Sequence, residues 1–397
     1  MTDKPARIVI LGGGFGGLYT ALNLSRLPWT PAEKPEITLV DRNDRFVFAP
    51  LLYELVTDEL QTWEIAPPFV ELLANTEIQF RQASVKSIDL DSHQVHLDDD
   101  GDSLPYDRLV LAMGGETPLN GTPGVAERAI PFRTVADAYR VRERLRQLES
   151  SDADKIRVAI VGGGYSGVEI ACKLADRLEN RGRIRIVDRN DTILRNSPEF
   201  NRNAAKRALS DRGVWLDLET DVTQVTAETI SLKYREQIDE IPVDLVLWTV
   251  GTTVAPVVRS LPFDRNDRGQ ILTNAKLQVV DRPHIFAVGD VAATYDINGQ
   301  RVPTTAQAAF QQADYAAWNV WGSLTHRPLL PFRYQNLGEM MTLGLDNATL
   351  SGLGLSLDGP LAHIARRLAY LYRLPTPEHQ LKVGLNWIVE PFRALVS

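Results

Sequence analysis

One cysteine in 397 residues, Cys172, is too few for an intramolecular disulfide, a CxxC redox pair or a four-thiolate metal or iron–sulfur site. It sits in the apolar run GVEIACKLA, a setting for a small buried hydrophobe and not for a nucleophile. Net positive charge is missing as well. Lys and Arg number 43 against 51 Asp and Glu, a balance of −8 with no dense basic stretch, which argues against a nucleic-acid partner. No apolar run approaches the ~20 residues of a spanning helix; the longest, such as Leu245 to Val258, is broken by Gly, Thr and Pro. The opening MTDKPAR leads straight into IVILGGG, too short and glycine-rich for a signal-peptide core. Any membrane is therefore expected to be met from its surface, on the cytoplasmic side.

What remains is ordinary for a soluble globular chain, with 44% hydrophobic and 24% charged residues and length for two or three domains. Its organisation comes from an internal repeat. IVILGGGFGGLYTALNL near the start returns as VAIVGGGYSGVEIACKL about 150 residues later. ITLVDR, ending on Asp41 and Arg42, returns as IRIVDR, ending on Asp188 and Arg189, and YDRLVLAMGG pairs with VDLVLWTVG. Three landmarks in one order predict two related α/β domains.

Each copy reads as a strand, a glycine turn and a helix, the helix shown by Leu18, Ala21, Leu22 and Leu24 in one and by Val168, Ala171 and Leu174 in the other. In this setting GxGxxG assigns a separate task to each glycine: Gly12, Gly14 and Gly17, or Gly162, Gly164 and Gly167, turn the chain, admit a pyrophosphate and let helix meet strand. Asp41 and Asp188 follow at near the ~20-residue spacing of an acid that takes ribose hydroxyls. Two dinucleotide sites in one chain predict a flavoprotein reductase. Between Arg81 and Leu111 an alternating pattern predicts a small sheet inserted in the first unit, with the acidic stretch Asp98 to Asp102 as a solvated hairpin tip.

Further segments carry a family resemblance. TNAKLQVVDRPHIFAVGD, ending on Gly289 and Asp290, is similar to the second flavin fingerprint of two-dinucleotide-binding flavoproteins. FAPLLYEL (Phe48 to Leu55), GGETPLNGTPGV (Gly114 to Val125) and AQAAFQ (Ala306 to Gln311) resemble type II NAD(P)H:quinone oxidoreductases, the non-proton-pumping dehydrogenases, with overall similarity to the cyanobacterial and plant-type branch that includes demethylphylloquinone reductases. The resemblance implies two Rossmann-type domains in a discontinuous layout: an FAD domain from residues 1–115 and 255–330, an NAD(P)H domain at 116–254, and a C-terminal membrane-association or interface region at 331–397. It implies FAD contacts from Gly12, Gly14, Phe15, Gly16 and Gly17, from Asp41 and Arg42, from Val85, from Ala112, Met113 and Gly114, and from Gly289 and Asp290. NADH or NADPH would be met by Gly162, Gly164, Tyr165, Ser166, Gly167, Asp188, Arg189 and Gly251. Asp188 favours NADH and the neighbouring Arg189 favours a 2′-phosphate, so nucleotide preference stays open. No metal site is expected.

The segment DRNDRFVFAPLL lacks the cysteine that several relatives use as an electron relay, so flavin must pass electrons directly to its acceptor, for which a membrane quinone is suited. The helix after Thr304 or Thr305, either one a fitting N-cap, would aim its positive end at the flavin pyrimidine. Gln307 and Gln311 share a face of that helix and are placed to donate to a quinone oxygen, or simply to solvate or cap the helix. Glu169 matches the family Glu that faces the nicotinamide, although an acid in a first helical turn is also favoured by the dipole alone.

After about Pro331 the dinucleotide pattern stops. Leu381, Leu385, Ile388, Phe392 and Leu395 form a helical apolar stripe, and five Lys or Arg stand against three Asp or Glu between Asp358 and Ser397. With Trp387, this tail suits a membrane interface; packing on the body or a homodimer interface is the other use of the same stripe. The expected activity is hydride transfer from NAD(P)H to FAD, then two-electron reduction of a quinone such as demethylphylloquinone or plastoquinone. A ferredoxin reductase-like flavoprotein and a flavin-based redox sensor are the alternatives.

Overall fold

A computed structural model describes residues 4–98, 101–119 and 121–394, and among these the side chains up to Val389. The chain forms two compact units, the first from Met1–Phe46, Ala66–Glu116 and Thr252–Gln335, the second from Val47–Ile65, Thr117–Gly251 and Asn336–Ser397. Residues 47–65, which the sequence layout runs on within the first unit, group with the second.

In the first unit a six-stranded sheet runs in the order Gln278–Val279, Arg282–Ala287, Arg108–Leu111, Arg7–Leu11, Glu36–Asp41, Gln79–Gln82. Arg7–Leu11 lies parallel between two neighbours, with Ile8 beside Ile37 on one side and Arg108 on the other. A central parallel strand is covered on both faces, and Ile8, Val9, Ile10 and Leu11 are accordingly all buried. Helices Phe15–Arg26 and Ala306–Leu324 belong to this unit, the second presenting Ala308, Ala309, Ala313, Ala316 and Ala317 inward so that a neighbour packs closely. The small sheet Val85–Asp89, Gln94–Leu97, Ser103–Pro105 adds Ile88, Val95 and Leu97 to the core beneath Val9 and Leu111. At its hairpin tip Asp98 and Asp102 are described, whereas Asp99 and Asp100 lie outside the described residues.

The second unit repeats the plan with a parallel sheet in the order Trp215–Asp217, Gly182–Val187, Ile156–Val161, Leu245–Trp248, Ile130–Pro131, and its own antiparallel sheet at Thr220–Val225, Thr229–Tyr234 and Gln237–Pro242. Helix Tyr165–Leu178 follows the second glycine turn. The C-terminal part adds a three-stranded sheet, Glu339–Thr342, Ala348–Gly352 and Leu355–Gly359, then helices Pro360–Arg373 and Pro377–Ala394. Within the last helix Leu381, Leu385 and Ile388 share an exposed face; of the remaining stripe, the Phe392 side chain and Leu395 lie outside the described residues. Trp387 turns inward instead, donating its indole N–H to Glu64 at 2.8 Å beneath the Arg367 guanidinium.

Candidate active site

The two glycine turns are copies at atomic level. Gly12 and Gly162 have φ of +101° and +116°, left-handed backbone that a side chain resists. At Gly17 and at Gly167 an added Cβ would stand 1.8 Å from the carbonyl oxygen of Gly12 or Gly162, so helix meets strand only without a side chain. Gly14 and Gly164 differ from these. Both are exposed, with nothing within 4 Å of an added Cβ, and each caps a helix with no side-chain bond and no acid in its first turn. The unsatisfied N–H groups of both helices therefore face an open approach, which fits a pyrophosphate. Gly16 packs on Val288, with Ala112 beside it.

Each turn is braced by its acid. Asp41 accepts from Gly13 N–H at 2.6 Å and Asn43 N–H at 2.8 Å, and Asp188 from Gly163 N–H at 2.5 Å and Asn190 N–H at 2.7 Å. The Asn43 and Asn190 side-chain amides also donate to the Oδ1 atoms, so in each acid Oδ2 is the oxygen that keeps a second acceptor site for a ribose hydroxyl. Arg42 and Arg189 are exposed beside them, Arg42 paired to Glu116 at 3.0 Å.

Elsewhere in the first unit, Gly289 and Asp290 form a short 3₁₀ turn, with Asp290 near Gly115. Ala112, Met113 and Gly114 leave the strand beside the first turn, and Val85 is half-buried in the small sheet. The strongest support of the Gly289–Asp290 turn is one that sequence reading passes over: buried Gln312 accepts from Gly289 N–H at 2.7 Å and donates to Thr294 at 3.2 Å. Thr305 is the N-cap of helix Ala306–Leu324, accepting from Ala308 N–H at 3.2 Å. Gln307 accepts from Tyr334 O–H at 3.0 Å, and Gln311 exchanges two hydrogen bonds, 2.8 and 3.0 Å, with the backbone of Gln335. Both glutamines thus hold the segment 334–335, and Gln311 offers an acceptor only its remaining N–H.

In the second unit Tyr165 donates to Glu339 and accepts from Ser197 at 2.7 Å, Ser166 accepts from Tyr53 at 3.1 Å, and Gly251 lies against Pro118. Glu169 is the fifth residue of its helix, past the first turn, so the dipole does not account for it. It is 5% exposed and accepts from Thr342 N–H at 2.9 Å, with Arg366 at 3.7 Å and the Tyr53 hydroxyl also facing it. Burial outweighs these partners and pushes its carboxyl up to about 7.

Around Glu169 lies a buried ionic cluster whose pairings no motif marks. Arg366 and Glu54, both fully buried, pair at 2.8 Å, and fully buried Lys173 donates to Glu59. Glu54 is held below its ordinary value by Arg366 and Lys173 in spite of burial, whereas His363 is pushed down to about 4 by burial and the nearby cations. Two carboxyl groups beside one guanidinium thus shift in opposite directions, Glu54 down and Glu169 up. Cys172 is sealed in the same unit, its thiol pushed up to about 12 by burial.

Residues 6–313 match the family model for pyridine nucleotide-disulphide oxidoreductases, the class that the doubled strand–turn–helix unit defines. Over 98% of both chains the sequence is 60% identical to demethylphylloquinone reductase NdbB of Synechocystis sp., and it is 44% identical to the alternative NAD(P)H-ubiquinone oxidoreductase C1 of Arabidopsis thaliana over 98% of this chain and 81% of that one. The NDH2 of Plasmodium falciparum, solved with NADH, shares the fold with a TM-score of 0.85 at 18% identity, covering 97% of this chain and 98% of the other. The chain belongs to the pyridine nucleotide-disulphide oxidoreductases and, within them, to the type II NAD(P)H:quinone oxidoreductases.

Proposed function

We propose that this chain is an FAD-dependent NAD(P)H:quinone oxidoreductase working at a membrane surface. One observation carries the reading: two dinucleotide cradles stand in a chain whose single thiol is buried and held protonated. With no thiol relay, the acceptor must take electrons directly from the cofactor, as a quinone does. Bound FAD would supply hydride acceptance and two-electron transfer; binding, orientation and proton supply fall to the side chains. The first turn with Asp41 and Asp290 holds FAD, and the second turn with Asp188 holds the nicotinamide nucleotide. Gln307 and Gln311 present amide groups at the acceptor end of their helix. The 60% identity to a demethylphylloquinone reductase supports a naphthoquinone-type substrate.

The overall reaction takes one proton from water: NAD(P)H, one proton and quinone give NAD(P)⁺ and quinol. Glu169, with a carboxyl near neutrality, is suited to deliver that proton. No helix among the described residues is long and apolar enough to cross a membrane. Helix Pro360–Arg373 instead exposes Leu361, Ile364, Leu368 and Tyr372, and Pro377–Ala394 exposes Leu381, Leu385 and Ile388, a pattern that supports lying in the lipid interface.

The test is an absorbance spectrum of purified protein under anaerobic conditions. Flavin bands should bleach on adding NADH or NADPH and return on adding a short-chain naphthoquinone. Bleaching without return would discard the quinone role and favour a protein acceptor.

A further inference from the structure

Glu169 is only 5% exposed, and as a proton donor it must be recharged once per turnover. Tyr53 and Glu54 face it from one segment, Thr342 N–H from a strand, and Arg366 and Tyr370 from helix Pro360–Arg373. Arg366 bridges it to Glu54, but a guanidinium does not release protons in proteins, so this link fixes charge and does not conduct. Lys173 lies one turn beyond Glu169 on the same helix, fully buried, with its ammonium 4.0 Å from Glu54 Oε1 and donating to Glu59 Oε2. Glu59 is the most exposed carboxylate of the cluster, its side chain 16% exposed, with Arg367 at 3.4 Å on its other oxygen.

Four atoms of the cluster are buried without a hydrogen-bond partner: Glu54 Oε2, His363 Nδ1 and the Nε atoms of Arg366 and Arg367. Such orphans are rare in native interiors and mark places for ordered water. Glu54, Glu59 and Glu169 stand against Lys173, Arg366 and Arg367, so the cluster is neutral when Glu169 is ionised and gains one charge when it is recharged.

We propose that Glu59, Lys173 and Glu54, joined by buried water at Glu54 Oε2 and His363 Nδ1, form the path by which solvent protons reach Glu169. As Glu169 takes a proton from the buried water at Glu54, that water takes one from the Lys173 ammonium and Lys173 takes one from Glu59, which is reprotonated from solvent. One proton moves inward and no electron moves. The depressed carboxyl of Glu54 and the neutral ring of His363 agree with this: one stays an acceptor, the other stays free to relay.

The inference rests on Glu169 as proton donor, and the test separates the two. In the full chain with its flavin, Glu59→Gln and Lys173→Met should slow deuterium exchange of the protonated Glu169 carboxyl, read by infrared spectroscopy as the band that Glu169→Gln removes, by at least about tenfold. The rate of oxidation by a short-chain naphthoquinone, divided by the rate of reduction by NAD(P)H, should fall by a similar factor. Added imidazole should restore the ratio in Glu59→Gln, since a small acid replaces a lost carrier but not a lost brace. Unchanged exchange in both variants, or a loss that imidazole does not touch, overturns the path. A Glu169→Gln variant with an unimpaired quinone step overturns the donor role itself. Glu59→Gln, at the exposed end and nearly isosteric, keeps the test open where Lys173→Met does not fold.

Discussion

The two glycine turns share one scaffold and carry different chemistry one helical turn further on. Counting from Gly12 and Gly162, Tyr19 in the first helix corresponds to Glu169 in the second, and Asn23 to Lys173. Tyr19 is buried among Phe15, Phe46 and Phe310, with ring centroids 4.5–6.2 Å away, and Asn23 bonds Asp314 near the surface. Glu169 and Lys173 point instead into a buried ionic cluster. The turn is dictated by backbone, down to the same 1.8 Å collision at Gly17 and Gly167, whereas the inward face of the following helix is free to be aromatic in one copy and titratable in the other. One copy lines its helix with rings, the other with ionisable groups.

The largest expected effect sharpens that division. Gly17→Ala should yield protein without flavin, and Gly167→Ala protein with flavin that NAD(P)H reduces at least about a hundredfold more slowly, since each Cβ displaces its turn. Flavin absorbance and anaerobic reduction of the two variants read this; loss of flavin from both would erase the assignment of one turn to each nucleotide. Arg366→Met should destabilise by about 3–5 kcal/mol, because Glu54 would be buried beside no guanidinium. Tyr19→Leu, at the matched aromatic position, should cost no more than about 3 kcal/mol. Denaturant melts of the pair decide whether the charged copy is the more fragile.

The smallest effect is in pH dependence. Glu169 titrates higher in the folded chain than in the unfolded one, so the folded state holds its proton more tightly. Its stabilising contribution is full below about 4.5 and is lost as pH rises to about 7. Glu169→Gln should flatten that slope and, at pH 8, recover on the order of 2 kcal/mol. Thermal melts at pH 5 and pH 8 should show the gap between variant and parent only at the higher value. A gap of the same size at both would mean the carboxyl is not perturbed.

The turns, their acids and the strand–helix alternation were legible because each is local: Gly12 to Gly17 with Asp41 fits within thirty residues. Thr305 as a cap was likewise read from its neighbours. The ionic cluster was not, because its members come from segments far apart. Lys173 resembles a surface partner for Glu169 one turn away, and Arg366 sits in PLAHIARRLAYLYRL, which reads as an amphipathic tail. Only when residues 47–65 join the second unit does Glu54 meet both. The C-terminal sheet was missed for a different reason: MMTLGLDNATLSGLGLSLDG alternates through glycines that weaken the strand pattern. Trp387, expected to serve a membrane interface, donates instead to Glu64.

The acids at the ends of the second strands have one more consequence. By fastening Gly13 and Gly163 to the loops at Asn43 and Asn190, Asp41 and Asp188 give each turn its shape from the chain's own bonds. An arriving nucleotide then meets a finished mould, and its association carries no ordering entropy from the protein at that spot. Capture should accordingly need no slow ordering step at the turn, and the lifetime of the complex, set by how fast the nucleotide leaves, becomes the quantity in which the two turns diverge.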